Sequence, residues 1–346
     1  MTCNLEQQGV EQGKCGVVDF TSGESRPACE VTLRRARGVS QRLIYGCCLS
    51  RPEHYLSIYQ SGCNLSCQKC HSWRFSRYAA GTWRSPDDIA QEVERYLASY
   101  AITSVPREEA TSWHAHNLCK SCGSCVLYGK RSAHCPAVLD VANLELSPQG
   151  WGPARNIVAF TGGDLTCQPE FYVQCAEVLK AREEQIWLLL ETNGYGLTSR
   201  TLDSFQQAGI DSFWLDIKAY DDAVHRRLTG VSNHRILQLP GALKDRGFVF
   251  EVLSLCIPGW VEADQIGQIA RELSAVDPDT PFTILAFFPE YRMKDVPGPT
   301  VEQMLAAYHA AHDAGLRQIK LGNVPLFAPT RESYDALAAI VGDASL

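Results

Sequence analysis

The chain has no basic excess. Its 346 residues carry 32 Lys and Arg against 39 Asp and Glu, and the formal charge of −7 excludes general nucleic-acid binding, which needs a basic field to neutralise phosphates. Its start, "MTCNLEQQGVEQGK", lacks an apolar segment behind a basic one, and its most apolar later stretch, "FVFEVLSLCIPGW", is broken by Glu251. Neither a signal peptide nor a membrane span is expected, and the cytoplasm is the expected compartment. The arginines that do gather, Arg34, Arg35, Arg37 and Arg42, read as a solvated surface, with a docking face for an acidic partner as the alternative.

Cysteine, in contrast, is abundant. Fifteen cysteines without an export signal point to thiolates for metal or redox work rather than to disulfides. Hydrophobic residues at 45% describe an ordinary globular protein, and one α/β barrel could hold the whole chain.

Short β-rich runs alternate with helical patterns from residue 55 onward, which predicts βα units and a parallel sheet. The predicted strands are 55–60, 156–161, 186–192, 212–218, 248–255 and 282–288, with 318–324 as a candidate seventh. Apolar faces predict helices over 85–100, 169–182, 199–208, 264–274 and 301–314; Ser85 can cap the first, with Pro86 in its first turn. Residues 1–52 read as a loop-rich leader with scattered cysteines. Residues 101–152 break the rhythm and read as an insertion, so that 53–100 and 153–330 form the core and 331–346 a C-terminal helix or tail.

The stretch "SGCNLSCQKCHSW" sets Cys63, Cys67 and Cys70 in a C-x3-C-x2-C spacing directly after the first predicted strand. Structural zinc wants four ligands, and His71 could supply the fourth; three thiolates on one loop instead leave one corner of a cubane open to a ligand. Later strands also end in polar or glycine-rich turns: Thr161, Gly162, Gly163 and Asp164; Glu191, Thr192, Asn193 and Gly194; Asp216 and Lys218; Pro258 and Gly259. In a parallel barrel, such ends converge on one site.

These motifs, with "FTGGDLTCQPEF", "ETNGYG", "WLDIKAYD", "TGVSNHRIL", "CIPGW", "FFPEYRM" and "GLRQIKLGNVP", resemble the radical S-adenosylmethionine family. The similarity is strongest to the pyruvate formate-lyase activating enzyme-like and AmmeMemoRadiSam-system branch, and covers roughly residues 55–325 apart from the insertion. The resemblance implies an α/β fold, a partial (β/α)6 TIM-type barrel with a ferredoxin-like cysteine-rich insertion. It implies a [4Fe-4S] cluster on Cys63, Cys67 and Cys70 that binds S-adenosylmethionine. Thr161, Gly162, Gly163 and Asp164 would bind the methionine amino group, and Asn193, Asp216 and Lys218 would lie around the cofactor. Glu191, Thr192 and Asp216 would match a monovalent-cation site. A flavodoxin- or ferredoxin-like protein would supply the electron. One position departs from the family: Lys69 stands where an aromatic residue usually precedes the third cysteine.

The insertion carries "CKSCGSCVLYGKRSAHCP", with Cys119, Cys122, Cys125 and Cys135 spaced like a ferredoxin run, whose last cysteine also precedes proline. An auxiliary [4Fe-4S] cluster is the favoured reading. A zinc knuckle that draws on His114, His116 or His134 is the alternative. Cys3, Cys15, Cys29 and Cys47 or Cys48 could ligate a further centre or be free thiols, while Cys167, Cys175 and Cys256 read as small core residues and Trp73 as a candidate channel wall.

The function these signs imply is reductive cleavage of S-adenosylmethionine and hydrogen-atom abstraction. The expected substrate is a glycyl-radical or other protein partner, with a small molecule or peptide as the alternative. A non-catalytic iron-sulfur electron-transfer protein is the reading from a different class; it predicts degraded "GGD", "TNG" and "DIK" motifs, and all three are intact.

Overall fold

The structure, a computed structural model, describes residues 3–50, 53–137, 139–147, 150–183 and 185–346. Met1, Thr2, Arg51 and Pro52 of the leader and Val138, Pro148 and Gln149 of the insertion lie outside the described residues, as does Glu184. Nine strands follow one another across a single sheet: β1 (Leu33–Ala36), β2 (Val39–Ser50), β3 (Tyr55–Gln60), β4 (Ile157–Gly162), β5 (Trp187–Thr192), β6 (Ser212–Asp216), β7 (Val249–Cys256), β8 (Phe282–Ala286) and β9 (Ile319–Gly322). From β3 to β9 every neighbouring pair is parallel, and β2 adds to β3 antiparallel. The candidate seventh parallel strand, β9, is therefore present. Side chains of six successive strands, from Thr161 on β4 to Leu321 on β9, line one cavity, so the sheet curls into an incomplete barrel.

The alternation that builds this cavity is legible on β7, where Leu253 and Leu255 face the cavity while Val252 and Cys256 belong to the apolar core. Outside the sheet, α1 (Pro86–Ser99) buries Ile89, Ala90, Val93 and Tyr96, and is started by a reciprocal cap between Ser85 and Asp88. The next helices, α2 (Glu170–Arg182) and α3 (Ser199–Ala208), fall within a residue of the predicted spans. Each fully buried Leu, Ile or Val on these faces contributes about 2 kcal/mol.

The leader is more ordered than its composition suggests. β2 runs for 12 residues, and Gly16–Val18 pairs with Ser25–Pro27. The arginine run also divides: Arg34, Arg35 and Arg37 are exposed, whereas Arg42 is fully buried and does not belong to a solvated surface. On the twelve-residue strand it takes an inward position, where its Nη2 donates to the carbonyls of Ser61 (3.3 Å), Gly62 (3.3 Å) and Gly163 (3.1 Å).

The first half of the insertion is a plug. Val105 and Ala110 pack with Tyr55, Ile157, Ala159 and Leu189, and Ser112 and Trp113 bond to Glu251 on β7. The second half holds Cys119, Cys122, Cys125 and Cys135, a short helix (Ser124–Tyr128) and a hairpin of Glu145–Ser147 with Gly150–Gly152.

A Cβ at Gly163 would stand 2.2 Å from the carbonyl oxygen of Gly62 and 2.7 Å from that of Gln60, both backbone atoms that cannot swing away. Gly163→Ala is expected to destabilise the chain by about 2–4 kcal/mol. Gly46→Ala, where a Cβ meets open space, should change stability little. Urea unfolding of the two variants checks this; equal midpoints would refute the close approach.

Candidate functional site

Cys63, Cys67 and Cys70 leave the end of β3 and line a cavity of about 490 Å³ together with Thr161, Gly162, Asp164, Glu191, Thr192, Asn193, Asp216 and Lys218. Of the residues expected around the cofactor, only Gly163 is absent from the wall, because it is pressed against Gly62. Burial first, then Asp164, pushes the Cys63 thiol up to about 11, and burial raises Cys67 as well. The thiols also raise one another, which places them close together. Deprotonating such a group of buried thiols requires a strong local positive charge, the kind a metal centre supplies.

Asp164 is a structural knot. Its carboxylate accepts from the Thr166 amide (2.8 Å) and hydroxyl (2.8 Å), the Thr192 hydroxyl (2.7 Å) and the Asn193 amide (2.9 Å). Asn193 in turn donates from Nδ2 to Asn64 Oδ1 at 2.8 Å, which ties the end of β5 to the cysteine loop. Glu191 accepts from Tyr55 (2.8 Å) and from the Thr161 hydroxyl, and burial pushes it up to about 8. The three expected cation ligands are thus committed within the protein: Glu191 to these hydroxyls, Thr192 to Asp164, and Asp216 to Lys218.

Lys218 is held protonated: burial opposes its charge, but Asp216 and the neighbouring thiols outweigh that. Besides Lys69 Nζ, two buried polar atoms on the wall, Asp216 Oδ1 and Trp214 Nε1, have no hydrogen-bond partner among the described residues. Buried polar atoms cost free energy when left unpaired, so these mark where a polar ligand fits. The three thiols, the charged pair and the two orphaned atoms suit an open iron-sulfur centre with a polar, zwitterionic cofactor beside it.

Lys69, in the position of the departed aromatic, is buried with Nζ 3.3 Å from the ring centroid of Phe288. Burial lowers it to about 8, and the face of Phe288 compensates part of the lost hydration. Trp73 turns away from the cavity: it stacks on Tyr291 (5.3 Å) and donates to Glu290 at 3.1 Å. The "FFPEYRM" segment therefore braces the cysteine loop.

Sequence reasoning missed the cavity floor. Ser112, Trp113 and His116 of the insertion meet Lys320 there, whose Nζ donates to the Trp113 carbonyl at 2.6 Å. Only the inward register of Lys320 within "QIKLG" could have signalled it.

The second cysteine set also converges. Cys119, Cys122, Cys125 and Cys135 surround one small pocket with Leu144 and Trp151. No histidine shares that pocket: His134 bonds Asp343 (2.8 Å) and Asp335 (3.0 Å), His114 meets Thr111 at 3.3 Å, and His116 faces the large cavity. Among the described residues, no three Cys, His, Asp or Glu side chains are arranged to hold a single metal ion, and no helix is long and apolar enough to cross a membrane.

A fold of this kind with a thiolate triplet at the strand ends is the arrangement that the resemblance to the radical S-adenosylmethionine family implies. The Radical SAM superfamily matches residues 144–273. The curated relatives it is similar to include activating enzymes. It is 29% identical to pyruvate formate-lyase 1-activating enzyme of Escherichia coli over 125 residues, 35% of this chain and 50% of that one. It is 26% identical to isethionate sulfite-lyase activating enzyme of Oleidesulfovibrio alaskensis over 234 residues, 62% of this chain and 72% of that one. The chain spans about half the length of the curated relatives it matches first. Among solved structures, a domain of pyruvate-formate lyase-activating enzyme from Bacteroides vulgatus aligns with a TM-score of 0.41 at 21% identity, covering 48% of this chain and 98% of that one.

Burial, then Lys120, depress Lys320 from 10.5 to about 7 despite the opposing pull of Glu251. Between those values the unfolded chain binds a proton that the folded chain does not, so stability rises with pH through that window. Lys320→Met should flatten this part of the profile, by on the order of 1 kcal/mol per pH unit. Urea midpoints of wild type and variant across about pH 7.5 to 9.5 test it; parallel curves would count against a neutralised Lys320.

Proposed function

We propose that the chain is a radical S-adenosylmethionine enzyme of the activating type. The observation that carries this reading is the convergence of Cys63, Cys67 and Cys70 with Asn193, Asp216 and Lys218 on one cavity. The three cysteines would hold a [4Fe-4S] cluster with one iron left for S-adenosylmethionine. With the cofactor bound and an electron supplied, the site provides methionine and a 5′-deoxyadenosyl radical able to remove a hydrogen atom.

The chain's own residues position and shield. Lys218, kept protonated, offers positive charge, and Asp216 offers its unpartnered oxygen. Asp164 fixes the Thr192–Asn193 turn rather than reaching into the cavity. Glu191 and Thr192 are engaged with hydroxyl and carboxylate partners, whereas Asp216 Oδ1 is open to a monovalent cation. The plug around Trp113 closes the floor and keeps out water.

Cys119, Cys122, Cys125 and Cys135 would hold a closed auxiliary [4Fe-4S] cluster. Its position in a pocket free of histidine speaks against a histidine-ligated zinc knuckle. A groove lined by Lys14, Arg26, Arg77, Arg226 and Arg227 runs beside Ser66 and Gln68 of the cysteine loop, and suits an acidic flavodoxin- or ferredoxin-like electron donor. The substrate would be a glycyl-radical enzyme or another protein. A small molecule is the second reading, favoured by the polar floor at Lys320, His116 and Trp214.

Anaerobic reconstitution followed by dithionite and S-adenosylmethionine should yield 5′-deoxyadenosine, and Cys63→Ala, Cys67→Ala or Cys70→Ala should abolish it. A fully reconstituted wild type that releases none would sink the enzymatic reading. Cys119→Ala is expected to lower iron by about four per chain and leave the electron paramagnetic resonance signal of the cavity cluster in place. Unchanged iron would remove the auxiliary cluster.

A further inference from the structure

The leader is fastened across the loops that follow β4 and β5. Asn4 Nδ2 donates to the Cys167 carbonyl at 2.5 Å, the Thr198 hydroxyl to Gln8 Oε1 at 2.6 Å, and the Tyr195 hydroxyl to the Glu11 carbonyl at 2.8 Å. Further on, the Ala28 amide bonds the Cys15 carbonyl at 2.8 Å, and the pairing of Gly16 with Pro27 sets Cys15 beside Cys29. These contacts set four cysteines from three distant segments in two pairs. Cys3 stands next to the Asn4 that bonds Cys167, and Cys15 lies against the turn that carries Cys29.

Electrostatics link the two pairs. The Cys29 thiol is raised by burial and then by Cys15 and Cys3, and the Cys167 thiol by burial, then Asp164, then Cys29 and Cys3. The strand cysteines are elsewhere: the neighbours of Cys47 are Glu92, Arg84, Cys48 and Arg95, and those of Cys48 are Ser50, Tyr59 and Glu53. A separate feature adds positive charge nearby, over the ring of Tyr172. Arg42 is fully buried, pairs with no carboxylate among the described residues, and leaves Nε and Nη1 without partners there. Its charge reaches Cys167. A buried cation with orphaned N–H groups is costly unless negative charge stands near it.

We infer that Cys3, Cys15, Cys29 and Cys167 form a third thiolate centre that holds an iron-sulfur cluster and clamps the leader to the loop after β4. Four thiolates around a cubane carry net negative charge, which offsets Arg42. A zinc ion would need all four sulfurs at about 2.3 Å from one point. No such single-ion arrangement exists among the described residues. Cys167, classed from sequence as a core filler, becomes the fourth ligand in place of Cys47 or Cys48.

The test uses the full chain, reconstituted anaerobically with iron and sulfide. Cys15→Ala with Cys29→Ala should lose about four irons and about four acid-labile sulfides per chain, while Cys47→Ala with Cys48→Ala should lose none. A folded Cys15/Cys29 variant with wild-type iron overturns the centre, and so does iron loss in the Cys47/Cys48 pair alone. Alkylation of the wild type keeps the question decidable if the variant unfolds. Reconstitution should protect Cys3, Cys15 and Cys29 from iodoacetamide while the exposed Cys48 still reacts; equal labelling of Cys15 and Cys29 before and after overturns the proposal. Protection by zinc alone, with no sulfide bound, overturns the iron-sulfur assignment. Both readouts are independent of S-adenosylmethionine cleavage, so failure here leaves the proposed activity standing.

Discussion

One buried guanidinium holds the site together. Arg42 donates from a single nitrogen to three carbonyls, two at the entrance of the cysteine loop and one in the glycine pair after β4. Loops from two different strands are thereby fixed to a third. The contact works only because Gly163 has no side chain, since any Cβ there would push the two loops apart. Everything downstream inherits that geometry. Asn64, in the cysteine loop, bonds the Asp164 carbonyl at 2.9 Å, and Asp164 then orders Thr192 and Asn193. The cost of burying the charge is met partly by carbonyl dipoles, and hydrogen bonds to a charged donor are stronger than neutral ones.

The strands and most helices were readable because each is a short apolar run or a helical stripe bounded by polar turns. β3 and α3 match their expected spans residue for residue, and the others shift by one or two at the ends, where fraying and assignment blur any boundary. Two helices of seven and eight residues, Leu239–Asp245 and Asp222–Thr229, were not anticipated, nor were three shorter ones, since all are too short for a clear period. Cysteine spacing located both compact thiolate sets, as each lies within one segment of chain. It could not locate relations between segments. Glycines in "TGGD" announce a close approach, but composition does not say whether a ligand or the chain's own backbone does the approaching. Arg42 sits in a run of exposed arginines, and only its inward register on β2 separates it from them. The plug around Trp113 has no period at all, because its polar groups are satisfied by Glu251 and Lys320 from distant strands.

The cysteine loop is gripped from a second side as well. Lys69 stands where the resemblance leads one to expect an aromatic residue, and an aromatic face is present there, supplied from another part of the chain by Phe288. Trp73, Glu290 and Tyr291 extend that grip, and Tyr291 holds a φ of 56°, a conformation that non-glycine residues seldom adopt without support from their surroundings. A strained residue persists where packing outweighs its cost. Here the stacked Trp73 ring and its bond to Glu290 are that packing. The loop that carries Cys63, Cys67 and Cys70 is therefore set by protein contacts on both flanks, Arg42 on one and the Phe288–Tyr291 segment on the other.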